Sequence, residues 1–228
     1  MGSPARSERR VAWRIAAAAL VLASAVLQYL ASMQRWVEAA STWTPTDRLV
    51  EDSLFDYFHP ADPWENVGTA AQTFGAGYLL LALGVLAIGR ASPDRSTLAL
   101  VACRIVAASF ALVGLHALIS GLLGAPTVLQ STPLQLLRGL VEFVALVFLA
   151  ASGARTSITT SLTWLLLIGA TLLGYLVSTF LIAPAVTGYQ SFDTTPHTET
   201  VVAAWTAAAG VALLLGLLPR PRRTARRG

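Results

Sequence analysis

The chain has no lysine, and all sixteen of its basic residues are arginine. It has a single cysteine, Cys103, which excludes an internal disulfide and any site built from paired cysteines. Charged residues make up only 12% of the chain, against about 25% in a soluble domain. The sequence contains no Walker loop, no dinucleotide-binding glycine pattern and no nucleophile elbow. These absences point away from the common soluble enzyme classes, and we expect no cofactor.

Long apolar stretches take the place of those features. The chain is 55% hydrophobic, with a mean hydropathy of +0.63. A bilayer is crossed by a helix of about 20 apolar residues. We therefore predict an all-α integral membrane protein of six transmembrane helices, built as three hairpins within residues 11–218, between basic tails at residues 1–10 and 219–228. The predicted helices lie near residues 11–33, 64–89, 97–123, 134–153, 160–183 and 199–218.

The arginines are concentrated on one side of these stretches. Only Arg35 and Arg48 fall in the loops that carry most of the acidic residues. Because loops rich in basic residues stay in the cytoplasm, the distribution predicts a multi-pass plasma-membrane protein with both termini cytoplasmic. The abundance of arginine and alanine is typical of a bacterial protein from a GC-rich genome. Twelve arginines lie near the start or the end of the chain or in two short connections: Arg6, Arg9, Arg10, Arg14, Arg90, Arg95, Arg155, Arg220, Arg222, Arg223, Arg226 and Arg227.

The first apolar stretch has two interpretations. Ala23-Ser24-Ala25 resembles the cleavage site of a secretory signal peptide. The apolar run nevertheless continues to Met33, which is long enough to cross a bilayer. We therefore favour an uncleaved first helix.

The outer segment, residues 34–61, is predicted to contain a short amphipathic helix. Thr44-Pro45-Thr46-Asp47 has the residue types of a helix start, with a capping residue followed by proline. Apolar side chains then recur at helical spacing as far as His59-Pro60, where the proline ends the helix. We expect this helix to dock onto its own bundle or onto a partner protein. The apolar positions are Val50, Leu54, Tyr57 and Phe58.

The three helices that re-enter the membrane from outside begin with similar sequences. Each has a capping residue followed by proline, and Glu65 and Gln135 would complete a capping box in the first two. The similarity is compatible with a repeated hairpin, as in some transporters. It is equally what ordinary helix starts produce, and we favour that explanation. The three starts are Asp62-Pro63-Trp64-Glu65, Thr132-Pro133-Leu134-Gln135 and Thr195-Pro196-His197-Thr198.

Ionisable residues within the apolar stretches are the best candidates for a site, because a charge in hydrocarbon is costly. Arg138 and Glu142 lie one helical turn apart on the same face. His116, near the outer end of the preceding helix, lies at a comparable depth. We therefore predict a cluster of Arg138, Glu142 and His116 in the outer half of the bundle. Arg104 is a separate charge that can reach the inner interface with its long side chain.

The cluster has two main interpretations. An internal ion pair would join two helices and neutralise itself, which is the usual arrangement of charges inside a membrane. A site for a proton, an ion or a polar ligand is the second interpretation. Interfacial placement of Arg138 is a third.

Acidic and histidine side chains also recur in the outer loops, where oxygen and imidazole ligands could bind a metal. The candidate metal ligands are Asp56, His59, Asp193 and His197. The prolines between the first residues interrupt any common helical face, and no compact metal-binding motif is present. We therefore expect no metal. The wider set adds Asp62, Glu65 and Glu199.

The C-terminal tail is expected to contact anionic lipid head groups, because arginines directly follow a predicted membrane helix. Anchoring of the topology alone explains them as well. Nucleic-acid binding is not expected, because no basic domain accompanies the tail. The arginines concerned are Arg220, Arg222, Arg223, Arg226 and Arg227.

Three functions remain open from the sequence. The preferred one is a non-enzymatic helper or subunit of a bacterial envelope assembly, which would bind a membrane-protein partner. The second is a small carrier or channel, as a homo-oligomer, that uses the Arg138, Glu142 and His116 cluster. The third is a membrane enzyme acting on a lipid-type substrate with Glu142 and His116 as acid and base.

Overall fold

The structure is a computed structural model that describes residues 4–39, 54–94, 96–188 and 194–218. All regular secondary structure in these residues is helical. Short 3₁₀ turns at Val128–Gln130 and Ile168–Ala170, and π-helical turns at Gln34–Ala39 and Ser178–Ile182, adjoin the α-helices. The α-helices are α1 (Pro4–Met33), α2 (Ala70–Ala91), α3 (Thr97–Leu123), α4 (Thr132–Ala154), α5 (Ile158–Leu167), α6 (Leu172–Val177), α7 (Ala183–Thr187) and α8 (Thr198–Leu215).

Five of these helices are long and apolar enough to cross a membrane: α1, α2, α3, α4 and α8. A sixth span is obtained if Ile158–Ala170 and Leu172–Thr187 are counted together, although the two parts meet at an angle of 69°. The prediction of an all-α protein is confirmed, with five or six helices long and apolar enough to span a membrane. The prediction of one continuous helix over residues 160–183 is wrong.

The long helices pack as a closed ring. Helices α1 to α4 each contact the next helix, α5 links α4 to α8, and α8 closes the ring by packing against α1. The start of α1 meets the end of α8, where Arg14 Nη1 donates a hydrogen bond to the Gly216 carbonyl at 2.8 Å. We call this the arginine-rich end; its described arginines include Arg10, Arg14, Arg90 and Arg155. The opposite, acidic end includes Asp56, Asp62, Glu65 and Glu199.

The first helix forms part of the ring over most of its length. Ala17, Ala18 and Val21 are fully buried, and α1 packs against both α2 and α8. The possible cleavage site at Ala23-Ser24-Ala25 lies inside this packed helix, with Ser24 fully buried.

Residues 54–69 form the part of the outer segment that enters the bundle, and we call them the plug segment. Residues 54–61 are turns and bends rather than helix, while residues 40–53, where the amphipathic helix is predicted to begin, lie outside the described residues. Tyr57 and Phe58 are 1% and 0% exposed. Two of the four apolar side chains that predicted a surface helix, Tyr57 and Phe58, therefore fill the acidic end of the ring.

The three predicted helix starts differ in the structure. α2 begins at Ala70, so the capping box proposed for Asp62 and Glu65 is wrong. The Glu65 amide instead donates to the Leu54 carbonyl within the plug segment. α4 begins at Thr132 with proline in its first turn, but the capping box expected with Gln135 is wrong, because the side-chain amide of Gln135 donates to the Leu129 carbonyl instead. α8 begins only at Thr198. Burial of the plug segment explains the late start of α2, because Trp64 packs into the bundle.

A break separates α5 from α6 at Thr171, whose backbone is extended (φ −92°, ψ 172°). The Thr171 hydroxyl caps α6 by accepting from the Gly174 amide. A side chain at Gly169 would overlap Trp205 of α8, so the two helices approach closely there. The break leaves the Ala170 carbonyl without a helical partner, and the Tyr78 hydroxyl donates to it at 2.8 Å. This bond joins α2 to the break.

Candidate functional site

Two clusters of buried polar side chains lie toward the acidic end of the ring. The Arg138 cluster consists of Ser109, Arg138 and Glu142, with His59 and His116 nearby. The Arg35 cluster consists of Arg35, Trp36, Asp56, Tyr175 and Glu199. Each contains an arginine paired with at least one carboxylate. Such groups are costly to bury unless they are paired, so both clusters are candidate sites.

Arg138 and Glu142 form an ion pair on α4. Arg138 Nη1 lies 2.9 Å from Glu142 Oε2 and donates a second hydrogen bond to Ser109 Oγ of α3 at 2.8 Å. Its Nε donates to Gln135 Oε1 at 3.2 Å. Glu142 is fully buried, whereas the Arg138 side chain is 10% exposed. Arg138 therefore links α4 to α3, and the Glu142 carboxylate of the pair is buried inside the ring.

His116 does not hydrogen-bond to this pair. Its Nδ1 lies 2.7 Å from Thr127 Oγ1 in the connection between α3 and α4, and its Nε2 lies 3.0 Å from the Pro60 carbonyl of the plug segment. Both ring nitrogens therefore have partners. His116 therefore links the plug segment to α3. It lies near the Arg138 cluster but makes no hydrogen bond to Arg138 or Glu142.

His59 of the plug segment also lies near Arg138, without a hydrogen bond to the ion pair. Its ring packs edge-on against Phe58, with centroids 4.6 Å apart, and lies 6.2 Å from the ring of Tyr175. Burial lowers its pKa well below the usual range, and the nearby Arg138 and His116 lower it further. His59 is therefore neutral at pH 7. The sequence had suggested it only as a possible metal ligand.

Several polar atoms of the Arg138 cluster are buried with no hydrogen-bond partner among the described residues. They are Glu142 Oε1, Arg138 Nη2 and both ring nitrogens of His59. Buried polar groups are paired in the great majority of cases, so such atoms call for an explanation. Together they offer a carboxylate acceptor, a guanidinium donor and a neutral imidazole that can do both. A polar molecule that both donates and accepts hydrogen bonds would satisfy these atoms.

The Arg35 cluster is centred on a fully buried arginine. Arg35 Nη1 lies 2.5 Å from Glu199 Oε1 of α8 and 3.8 Å from Asp56 Oδ1 of the plug segment. Tyr175 Oη donates to Asp56 Oδ2 at 2.7 Å, and Trp36 Nε1 donates to Glu199 Oε2. One arginine thus faces two carboxylates, each of which has further donors. The cluster ties α1, α6, α8 and the plug segment together.

An aromatic layer lies beside both clusters. Phe58 stacks on Tyr175 with ring centroids 4.4 Å apart, and it also packs against Phe74 and Tyr78 of α2. Tyr78 in turn packs edge-on against Phe110 of α3. The plug segment therefore closes the acidic end of the ring with apolar rings as well as with ion pairs.

The possible metal ligands are dispersed. Asp56 belongs to the Arg35 cluster, His59 to the Arg138 cluster, and His197 lies beside Trp36 with ring centroids 6.3 Å apart. Asp193 lies outside the described residues. Within the parts of the chain that the structure describes, no three histidine, cysteine or acidic residues are grouped so that they could hold a metal ion.

The remaining predicted residues lie away from the clusters. Arg104 is exposed on the outer face of α3. The C-terminal arginines Arg220, Arg222, Arg223, Arg226 and Arg227 lie outside the described residues.

Comparison with known proteins found no matching family model, no matching curated protein and no matching solved structure.

Proposed function

We propose that the protein is a small membrane carrier whose binding site is the Arg138 cluster. The observation that carries this proposal is the set of buried polar atoms on Glu142, Arg138 and His59 that have no partner among the described residues. A small zwitterion is the simplest guest, because its carboxylate matches Arg138 Nη2 and its ammonium matches Glu142 Oε1. Charged groups inside a membrane commonly mark the path of a substrate.

The broken helix supports a carrier. Membrane transporters often place discontinuous helices at their binding sites, where the freed backbone groups contact the substrate or an ion. Here the break at Thr171 lies between a contact with α2 and a contact with the plug segment. Tyr78 binds the Ala170 carbonyl on one side of it, and Tyr175, one turn later, binds Asp56 on the other.

The alternative functions have less support. The helper hypothesis rested in part on the outer amphipathic segment, and Tyr57 and Phe58 of that segment are buried within the chain itself. The enzyme hypothesis relied on His116 and Glu142 as acid and base. His116 has both ring nitrogens engaged by Thr127 and Pro60, and it makes no hydrogen bond to Glu142.

Vesicle swelling tests the carrier proposal. Purified full-length protein is reconstituted into phospholipid vesicles, and stopped-flow light scattering follows their swelling in isosmotic glycine, urea or glycerol. We expect faster swelling than in protein-free vesicles, most of all with glycine. Glu142→Gln removes a hydrogen bond to a charged group, which corresponds to about ten- to hundredfold weaker binding. Swelling should slow accordingly.

The matched control is Glu65→Gln, because Glu65 is an exposed acid at the same end of the ring. This variant should retain the wild-type rate. The proposal is wrong if no solute enters faster than through protein-free vesicles, or if both variants behave alike. Stoichiometric recovery of another membrane protein after gentle detergent extraction, combined with no solute uptake, would instead establish the helper function.

We further propose that the arginine-rich end faces the cytoplasm of a bacterial plasma membrane, with six spans and both termini inside. The distribution of arginines between the two ends supports this orientation. Cysteine labelling tests it, since the native Cys103 is buried and gives a low background. A membrane-impermeant maleimide should label Ala125→Cys in intact cells. It should label Thr156→Cys only after lysis, and the reverse pattern would invert the topology.

A further inference from the structure

A crevice opens at the arginine-rich end, far from the Arg138 cluster. It has a volume of about 500 Å³ and lies between α1, the two short connections and the end of α8. Its polar lining consists of two arginines, three hydroxyl side chains and the backbone of Gly216, and its described lining includes no acidic residue. The polar side chains are Arg10, Arg14, Thr156, Ser157 and Thr160.

The arginines of the crevice are placed to bind an anion. Arg10 and Arg14 lie one turn apart, and therefore on the same face of α1. Arg14 is held in position by Gly216 O at 2.8 Å and by Thr160 Oγ1 at 2.9 Å. Arg10 is exposed. One guanidinium is thus fixed in the wall of the crevice, and the other can move onto a bound group.

Two of the three hydroxyl groups can add neutral donors beside these charges, because Thr156 Oγ1 already donates to the Gly153 carbonyl at 2.9 Å. Ser157 precedes the first turn of α5, and its side chain does not cap that helix. Its Oγ lies 2.8 Å from Thr159 Oγ1. Hydroxyl donors next to arginines, together with the positive end of a helix, suit a phosphate group.

The rest of the lining is apolar and includes Val11, Ile15 and Leu217. Val11 and Ile15 are 46% and 51% exposed, so this apolar wall continues onto the outer surface of the ring. A soluble phosphate would gain nothing from such a wall. The acyl chains of a lipid would cover it.

We propose that this crevice binds the phosphate head group of an anionic phospholipid, with its acyl chains against α1. Basic pockets between membrane helices are suited to such head groups. The site is separate from the proposed carrier site and does not depend on the C-terminal tail.

Binding of phosphatidylglycerol to the delipidated full-length protein tests the proposal. Native mass spectrometry and thermal unfolding would compare phosphatidylglycerol with phosphatidylcholine. We expect tighter binding of phosphatidylglycerol and a rise in Tm with its concentration. Arg10→Gln should weaken this binding about fivefold, because it removes one of the two arginines that line the crevice. Arg10 is exposed and forms no described hydrogen bond, so the variant should fold.

The matched control is Arg9→Gln, which removes the same charge one residue away from a side chain that does not line the crevice. This variant should bind phosphatidylglycerol like the wild type. Inorganic phosphate provides the second arm. Suppose that inorganic phosphate raises Tm, that neither lipid does, and that the rise is lost in Arg10→Gln. The crevice would then remain a phosphate site, but its ligand would be a soluble phosphate. Equal binding of the two lipids, or equal losses in the two variants, with no effect of phosphate, would overturn the proposal.

Discussion

Replacement of Arg35 by methionine is expected to lower the free energy of unfolding by about 3–5 kcal/mol. Arg35 is fully buried between Glu199 and Asp56, and its removal leaves two buried carboxylates without their counter-charge. Methionine fills a similar volume, so the loss reports the charge rather than a cavity. Thermal unfolding in a mild detergent measures the effect, with a fall in Tm of roughly 10 °C.

Two further variants separate electrostatics from packing. Arg104→Met removes an exposed arginine from α3, and should leave Tm almost unchanged. Arg35→Met combined with Glu199→Gln should recover part of the lost stability, because one of the two uncompensated charges is removed as well. Equal Tm values for Arg35→Met and Arg104→Met would show that the Arg35 cluster does not stabilise the protein.

Substitution of Gly75 is expected to be the most damaging small change in the apolar part of the ring. Gly75 of α2 faces Gly114 of α3, and a Cβ at position 75 would lie 2.5 Å from the Gly114 carbonyl oxygen and 2.6 Å from the Leu118 amide nitrogen. These are backbone atoms, so α2 and α3 would have to separate. Gly75→Ala should therefore destabilise the protein by about 1–3 kcal/mol despite the better helix propensity of alanine.

Gly84→Ala is the matched control on the same helix. A Cβ at Gly84 meets one side-chain atom closely, Val21 Cγ2 at 2.9 Å, and its nearest backbone contact is at 3.5 Å, so the overlap is smaller than at Gly75. Its cost should be offset in part by the roughly 1 kcal/mol that alanine gains over glycine in a helix. Thermal unfolding of both variants decides the point. If Gly84→Ala lowers Tm as much as Gly75→Ala does, the close approach of α2 and α3 is not the cause.

The helices themselves could be predicted because hydrophobicity over about 20 residues is a property of each local stretch. The boundaries of α3 agree with the prediction, since Ser96 caps its first turn and Gly124 ends it in a left-handed conformation. The same local reasoning paired Arg138 with Glu142. Side chains four residues apart on a helix are neighbours regardless of the tertiary structure.

The remaining features depend on partners that are distant in the chain. The sequence places Arg35 and Glu199 in the outer loops, and nothing near either of them in the chain indicates that they meet. His59 was grouped with acidic neighbours by spacing alone, although the plug segment carries it toward Arg138 and His116. The break at Thr171 had a weak local signal in Gly169 and Gly174. Glycine is common in membrane helices, so that signal did not distinguish a break from close packing.

The burial of the plug segment also constrains how the protein is made. Asp56 precedes its hydrogen-bond partner Tyr175 by 119 residues, and Arg35 precedes Glu199 by 164. A ribosome adds about 5–20 residues per second, so the first helical hairpin is complete many seconds before these partners exist. The charges of the outer segment remain in water or on another protein during that time. Insertion of α8 is therefore the step that closes both the ring and its acidic end.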